Sequence, residues 1–178
     1  YAYMFWVALD LLYPNINENI KNSNRKLAQL SLIITAIIFI TVLSGGFVAG
    51  TRAGFAFNTF PLMDGRLIPV GLFELSPVWR NFFENIVTVQ FDHRLLATLL
   101  FLAIPTFWWI AGKSQQGSHI TTGLHLLLAS LALQLTLGIT TLLLVVPVAL
   151  AATHQAGAII LLTASIFVSH QLRGRTAN

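Results

Sequence analysis

Cysteine is absent from the 178-residue chain, and charged residues make up only 9% of it. The first absence excludes disulfide staples, thiolate metal sites and cysteine nucleophiles. The second excludes an ordinary soluble domain, in which roughly a quarter of the residues carry charge. Acids are the scarcer sign, with six Asp and Glu against ten Lys and Arg and a net charge of +4. No carboxylate cluster, Ser/His/Asp triad or phosphate loop suited to hydrolysis or metal chemistry can be assembled from the sequence. The basic excess is no nucleic-acid footprint either, because Lys and Arg stand at the ends of apolar runs rather than among exposed aromatics. No nucleic-acid partner is expected.

What the chain has in abundance is apolar sequence: 56% of its residues are hydrophobic, and the mean hydropathy is +0.76. Four segments are long enough to cross a bilayer, from about Leu27 to Gly50, Ile86 to Gly112, Thr121 to Val145 and Val148 to His170. The fold class implied is an all-α integral membrane protein, a four-transmembrane-helix bundle spanning 27–170. The twelve opening residues, YAYMFWVALDLL, would cover only about 18 Å as a helix, against a hydrocarbon core of about 30 Å. They read as the end of a preceding transmembrane helix, and the chain as part of a longer protein. Residues 13–26 are then a linker and 171–178 a tail.

Between the first two spans lies a loop over 51–85, rich in Gly, Pro and aromatics. A loop of that length is usually functional, and its apolar residues suit the membrane surface. Lys21, Arg25, Lys26, Lys113, Arg173 and Arg175 collect on one side. That side should face the cytoplasm or matrix, with the long loop outward and the bundle's termini inward. Membrane lipid is thus the first partner expected.

The sharpest feature is VQFDHR, residues 89–94, at the outer mouth of the second span. Ionisable groups in hydrocarbon cost several kcal/mol, on the order of 3 each, and so mark function. His93 and His154 each lie about 10 Å deep from the same side, on two different helices. Matched depth is what a flat ligand bridged by two imidazoles requires. Ala151, Gly157 and Ala158, on the same helix face as His154, leave room for a macrocycle. His119, His125 and His170 fall toward the inner side; the first and last read as interfacial, and a second site pairing His125 with His170 is the weaker option.

With no thiolate available, bis-imidazole haem iron is the cofactor these residues suit best. Arg94 has two open roles, meeting a haem propionate or anchoring the helix at the interface. Gly46 and Gly50 have the GxxxG spacing of close helix packing, Pro105 is expected to kink its helix, and Gln134 should hydrogen-bond a neighbouring helix. Histidine depth alone suits a b-type electron-transfer membrane cytochrome equally well.

Three stretches in order, GGFVAGTRAGFAFNTFPLMDGRLIP, NFFENIVTVQFDHR and QLTLGITTLLLVVPVALAATHQAG, resemble the carboxy-terminal half of the haem A synthase family. The resemblance runs over nearly the whole chain. It implies two similar four-helix bundles in the complete protein, this chain being the second, with haem b as its cofactor. The axial iron ligands would be His93 of QFDHR and His154 of ATHQ. The reaction implied is oxidation of a methyl group of haem O to the formyl group of haem A, for cytochrome oxidase assembly. In the family the first bundle holds haem O and a catalytic glutamate in an EFxHR-type motif. Gln90 takes that place here and cannot ionise, so no catalytic residue is expected in this half, and the fragment alone should be inactive. Haem O synthase and cytochrome oxidase assembly factors are the protein partners implied, and the bacterial plasma membrane or mitochondrial inner membrane the location. Some members carry a cysteine pair in the outer loop; this chain has none.

Overall fold

The computed structural model describes residues 1–13, 25–114 and 117–173, and its regular elements there are helices. Most of the linker expected over 13–26 and of the tail over 171–178 lies outside the described residues, as do Lys21 and Arg175. A short helix α1, Ala2–Leu12, is followed by α2, Arg25–Gly50. The one-turn helix α3, Asn81–Glu84, precedes the long α4, Ile86–Gly112, α5, Ser118–Leu143, and α6, Val148–Leu172. The four expected spans are present, with α5 starting three residues earlier than read from sequence. Each of these four is long and apolar enough to cross a membrane.

Exposed apolar residues such as Leu32, Ile33, Phe39, Ile40, Leu102 and Leu133 would be faults in water; in hydrocarbon they are ordinary lipid-facing positions. Burial of the most apolar stretch rises from 11% in α2 to 39% in α6, so α6 is the most enclosed helix. Ser165, Ser169 and His170, all buried, lie on it. Small and polar residues of this kind let helices approach and bond where lipid offers no hydrophobic drive.

The chain divides into two compact units. The terminal unit comprises Tyr1–Ile38, Leu100–Ala132 and Ile159–Asn178; the loop unit comprises Phe39–Leu99 and Leu133–Ala158. Each long helix therefore contributes to both. In the terminal unit Thr35 and Ser169 share a 3.0 Å hydrogen bond, and Gly123 lets the Phe167 ring sit where a Cβ would come within 2.9 Å. Asp10 of α1 accepts from His170 Nε2 at 3.0 Å and from Arg173. The same Arg173 lies over the Trp6 ring, 4.7 Å from its centroid.

In the loop unit the 51–85 segment is folded by amides and tight turns. Buried Asn81 accepts from the Leu75 N–H at 2.9 Å and donates to the Leu75 and Val78 carbonyls at 2.8 and 2.9 Å. Asn85 donates to the Gly71 carbonyl and accepts from the Val87 and Thr88 N–H groups, capping the start of α4. Asp64-Gly65 turns with positive φ at both residues, and Met63 and Arg66 exchange backbone hydrogen bonds across it. The α5–α6 corner needs two consecutive valines, Val145 and Val146, at φ 60° and 57°. That region costs an L residue about 1 kcal/mol or more. The Val146 N–H bond to the Thr141 carbonyl at 2.8 Å helps hold it there.

Pro105 is accommodated within the continuous helix α4. The GxxxG expectation is not met: added Cβ atoms at Gly46 and Gly50 would meet nothing within 4 Å. The glycine that packs closely is their neighbour Gly45, because the helix turns that residue toward α4.

Candidate functional site

His93 and His154 both lie in the loop unit, on α4 and α6. Both are half-buried. Each ring is seated on a glycine of a neighbouring helix. A Cβ at Gly45 of α2 would come within 3.2 Å of His93 Cε1, and one at Gly138 of α5 within 2.9 Å of His154 Cε1. Each ring also lies close to backbone one turn earlier on that helix, at Thr41 for His93 and at Gln134 for His154. The same device thus appears twice, a glycine seat with ring and backbone close together four residues before it.

Polar side chains complete each seat. Ser44 Oγ donates to the Thr41 carbonyl at 2.8 Å and stands 2.8 Å from His93 Nδ1. Gln134, buried on α5, lies against α6 with its carboxamide over the His154–Ala158 peptide pair. Its NH2 group donates to the His154 carbonyl at 3.0 Å and to His154 Nδ1 at 3.1 Å, while its oxygen accepts from the Ala158 N–H at 3.2 Å. Gly157 makes this possible, since a Cβ there would collide with the Gln134 carboxamide. The recess read from sequence around Gly157 and Ala158 is thus filled by Gln134 rather than open to a macrocycle.

Arg94, one residue after His93, commits both terminal nitrogens to the loop. They donate to the Phe57 carbonyl at 2.8 Å, the Thr59 carbonyl at 2.9 Å and the Leu62 carbonyl at 3.4 Å. Gln90, a turn earlier on α4 and buried, donates to the same Phe57 carbonyl at 3.1 Å. VQFDHR and NTFPLMDGR are therefore one physical unit, the helix gripping the carbonyls of the hairpin. Arg94 Nε is left buried without a partner.

The remaining histidines have separate neighbours. His170, fully buried, meets Asp10 and the edge of Trp6; His125 lies by Trp108, 5.9 Å between ring centroids; His119 lies edge-on to Tyr13. The alternative pairing of His125 with His170 is not among these contacts. Among the described residues no group of three or more His, Cys, Asp or Glu could hold a metal ion. A pair of imidazoles is a donor set of the kind that porphyrin iron takes. The glycine seats, which set both rings, are compatible with such a group.

Ser44, Gly45, Gly138 and the Gln134 contact to His154 were not read from sequence as parts of this site. A signal was available: TVLSG and QLTLG each place a polar residue four positions before a glycine, one helical turn, on two different spans.

A family model described as cytochrome oxidase assembly protein matches residues 1–166. A haem A synthase of Nitrosospira multiformis is 55% identical over 97% of this chain and 49% of that protein. One of Nitrosomonas eutropha is 52% identical over 97% of the chain and 49% of its own length. The protein named haem A synthase COX15 of Homo sapiens is 38% identical over 97% of the chain and 42% of its own length. The chain spans about half the length of these curated relatives. No solved structure matches.

Proposed function

Given that the chain belongs to the COX15-CtaA family of cytochrome oxidase assembly proteins, the haem A synthases, we propose that it is the half of such a synthase that holds a bis-histidine haem b, with His93 and His154 as axial ligands. The observation that carries this reading is the repeated seat. Two imidazoles from different helices are each set on a glycine and held at Nδ1 by a polar side chain, Ser44 or Gln134, which fixes the ring toward a ligand. The haem would supply one-electron transfer.

The complete protein, in this reading, oxidises the methyl group of haem O to the formyl group of haem A, with haem O bound in the other half. Gln90 supports that division of labour. It is unable to ionise and is engaged in holding Phe57, which suits a structural post rather than proton transfer. Arg94 keeps the NTFPLMDGR hairpin at the helix end beside His93, and its Nε is the donor left for a propionate. The other chain-level expectations, with the loop facing outward and haem O synthase and oxidase assembly factors as partners, belong to the same proposal.

The test is an optical and EPR spectrum of the full-length protein and its variants. His93→Ala and His154→Ala should each lose the low-spin bis-histidine signal, and His170→Ala should keep it. Retention of that signal in both of the first two variants would overturn the assignment.

A further inference from the structure

The two seats differ in one respect that chemistry makes consequential. A neutral imidazole has a single N–H, and its position follows from what each nitrogen faces. Ser44 has already given its hydroxyl proton to the Thr41 carbonyl, so toward His93 it can only accept. Nδ1 of His93 therefore carries the proton, and the Nε2 lone pair is free. At His154 the Gln134 carboxamide points the other way. Its oxygen is occupied by the Ala158 N–H, and its NH2 group faces the His154 carbonyl and Nδ1. Nδ1 of His154 is thus an acceptor, which leaves the single N–H of the neutral ring on Nε2.

We infer that the two imidazoles rest in opposite tautomers, set by Ser44 and Gln134, so that His93 is a ready ligand while His154 is latched. Its consequence for ligation rests on the haem reading; the tautomers themselves do not. Nε2 of His93 can take a metal with no rearrangement. His154 presents a bare Nε2 only after its proton moves to Nδ1. The Gln134 carboxamide must then turn over so that its oxygen faces Nδ1. Turning over gives up its paired bonds to the His154 carbonyl and the Ala158 N–H, and this is what makes Gln134 a latch rather than a passive neighbour. Gly157 is part of the device, because only a residue without a Cβ lets the carboxamide reach that peptide pair. Ser44 and Gln134 are positioning residues, acting through the imidazoles they hold.

The test uses full-length protein carrying nitrogen-15 histidine, first without haem. His93 should show the Nδ1–H tautomer and His154 the Nε2–H tautomer. Ser44→Ala should move His93 alone toward the Nε2–H form, and Ser44→Thr, which restores the hydroxyl, should return it. Gln134→Leu should shift only the unprotonated Nδ1 resonance of His154, which loses the carboxamide hydrogen bond. With haem added, Gln134→Leu should raise the six-coordinate fraction above wild type, as the latch is gone. The same tautomer at both histidines, or a His154 resonance indifferent to Gln134→Leu, would overturn the inference. Failure of every variant to take up haem would instead overturn the haem reading and leave the tautomer result standing.

Discussion

Histidine is buried in polar company in both units, yet the company differs in charge. In the loop unit His93 and His154 are half-buried and held by a hydroxyl and a carboxamide, both neutral. In the terminal unit His170 is fully buried and meets the Asp10 carboxylate, which Arg173 also grips. A neutral partner orients an imidazole while leaving one nitrogen for a ligand. A carboxylate instead accepts from the ring's Nε2 N–H, and so ties the nitrogen a metal would need into a structural hydrogen bond. Position along the helices set His170 apart from the outer pair in the sequence, while the carboxylate that holds it came only from the fold.

The largest effect should come from breaking the charged cluster. Asp10→Ala leaves Arg173 and His170 without their shared acceptor, and removing one partner of such a network costs about 3 kcal/mol. Thermal unfolding should report that loss while the low-spin haem signal per folded protein stays unchanged. If the haem signal fell with it, the two histidine environments would not be separate in function.

Next in size is the grip of α4 on the loop. Arg94→Ala removes bonds to three loop carbonyls, and charge-assisted hydrogen bonds contribute about 1.5–3 kcal/mol each when buried. Limited proteolysis over 57–66 should accelerate, and Arg94→Lys should restore little, because an ammonium cannot span carbonyls as a guanidinium does. Equal protection in Arg94→Ala and wild type would show that the hairpin stands without it.

The glycine seats give a graded third test. Gly138→Ala drives a Cβ to 2.9 Å from His154, and Gly45→Ala to 3.2 Å from His93. Overpacking of this kind costs about 1–3 kcal/mol, and haem occupancy should fall more for the first than for the second. Gly46→Ala and Gly50→Ala, with open space around them, are the controls and should lose nothing. A reversed order, or an equal loss in the controls, would remove the seats from the site.

The smallest effect belongs to an exposed pair in the loop. Arg80 donates to Glu84 from Nε at 3.1 Å, and this bond holds the Glu84 carboxyl below its ordinary value. A carboxylate with a lowered folded-state value contributes stability above its unfolded value and loses it as pH falls through the folded one. Loop protection should therefore decline slightly as pH drops below about 4, and Glu84→Gln should flatten that part of the profile. An identical pH profile in Glu84→Gln would show that another group is titrating.

Membrane character and the four spans followed from composition and segment length, and the matched positions of His93 and His154 along their helices from 1.5 Å of rise per residue. These are one-dimensional properties, and a helix carries them wherever it packs. Which residues face each histidine was decided by tertiary structure. Helices that are apolar all round have little amphipathic stripe to reveal their rotation, because lipid and protein interior are about equally apolar. That is why Gly45 rather than Gly46 or Gly50 receives the ring, and why Gln134 fills the space beside Gly157. The same holds for Arg94, whose position in VQFDHR showed that it sits at a helix mouth, while only the folded loop showed that its guanidinium holds carbonyls from residues more than thirty positions away. Depth is written along a chain; facing depends on the rotation and approach of helices that packing alone selects.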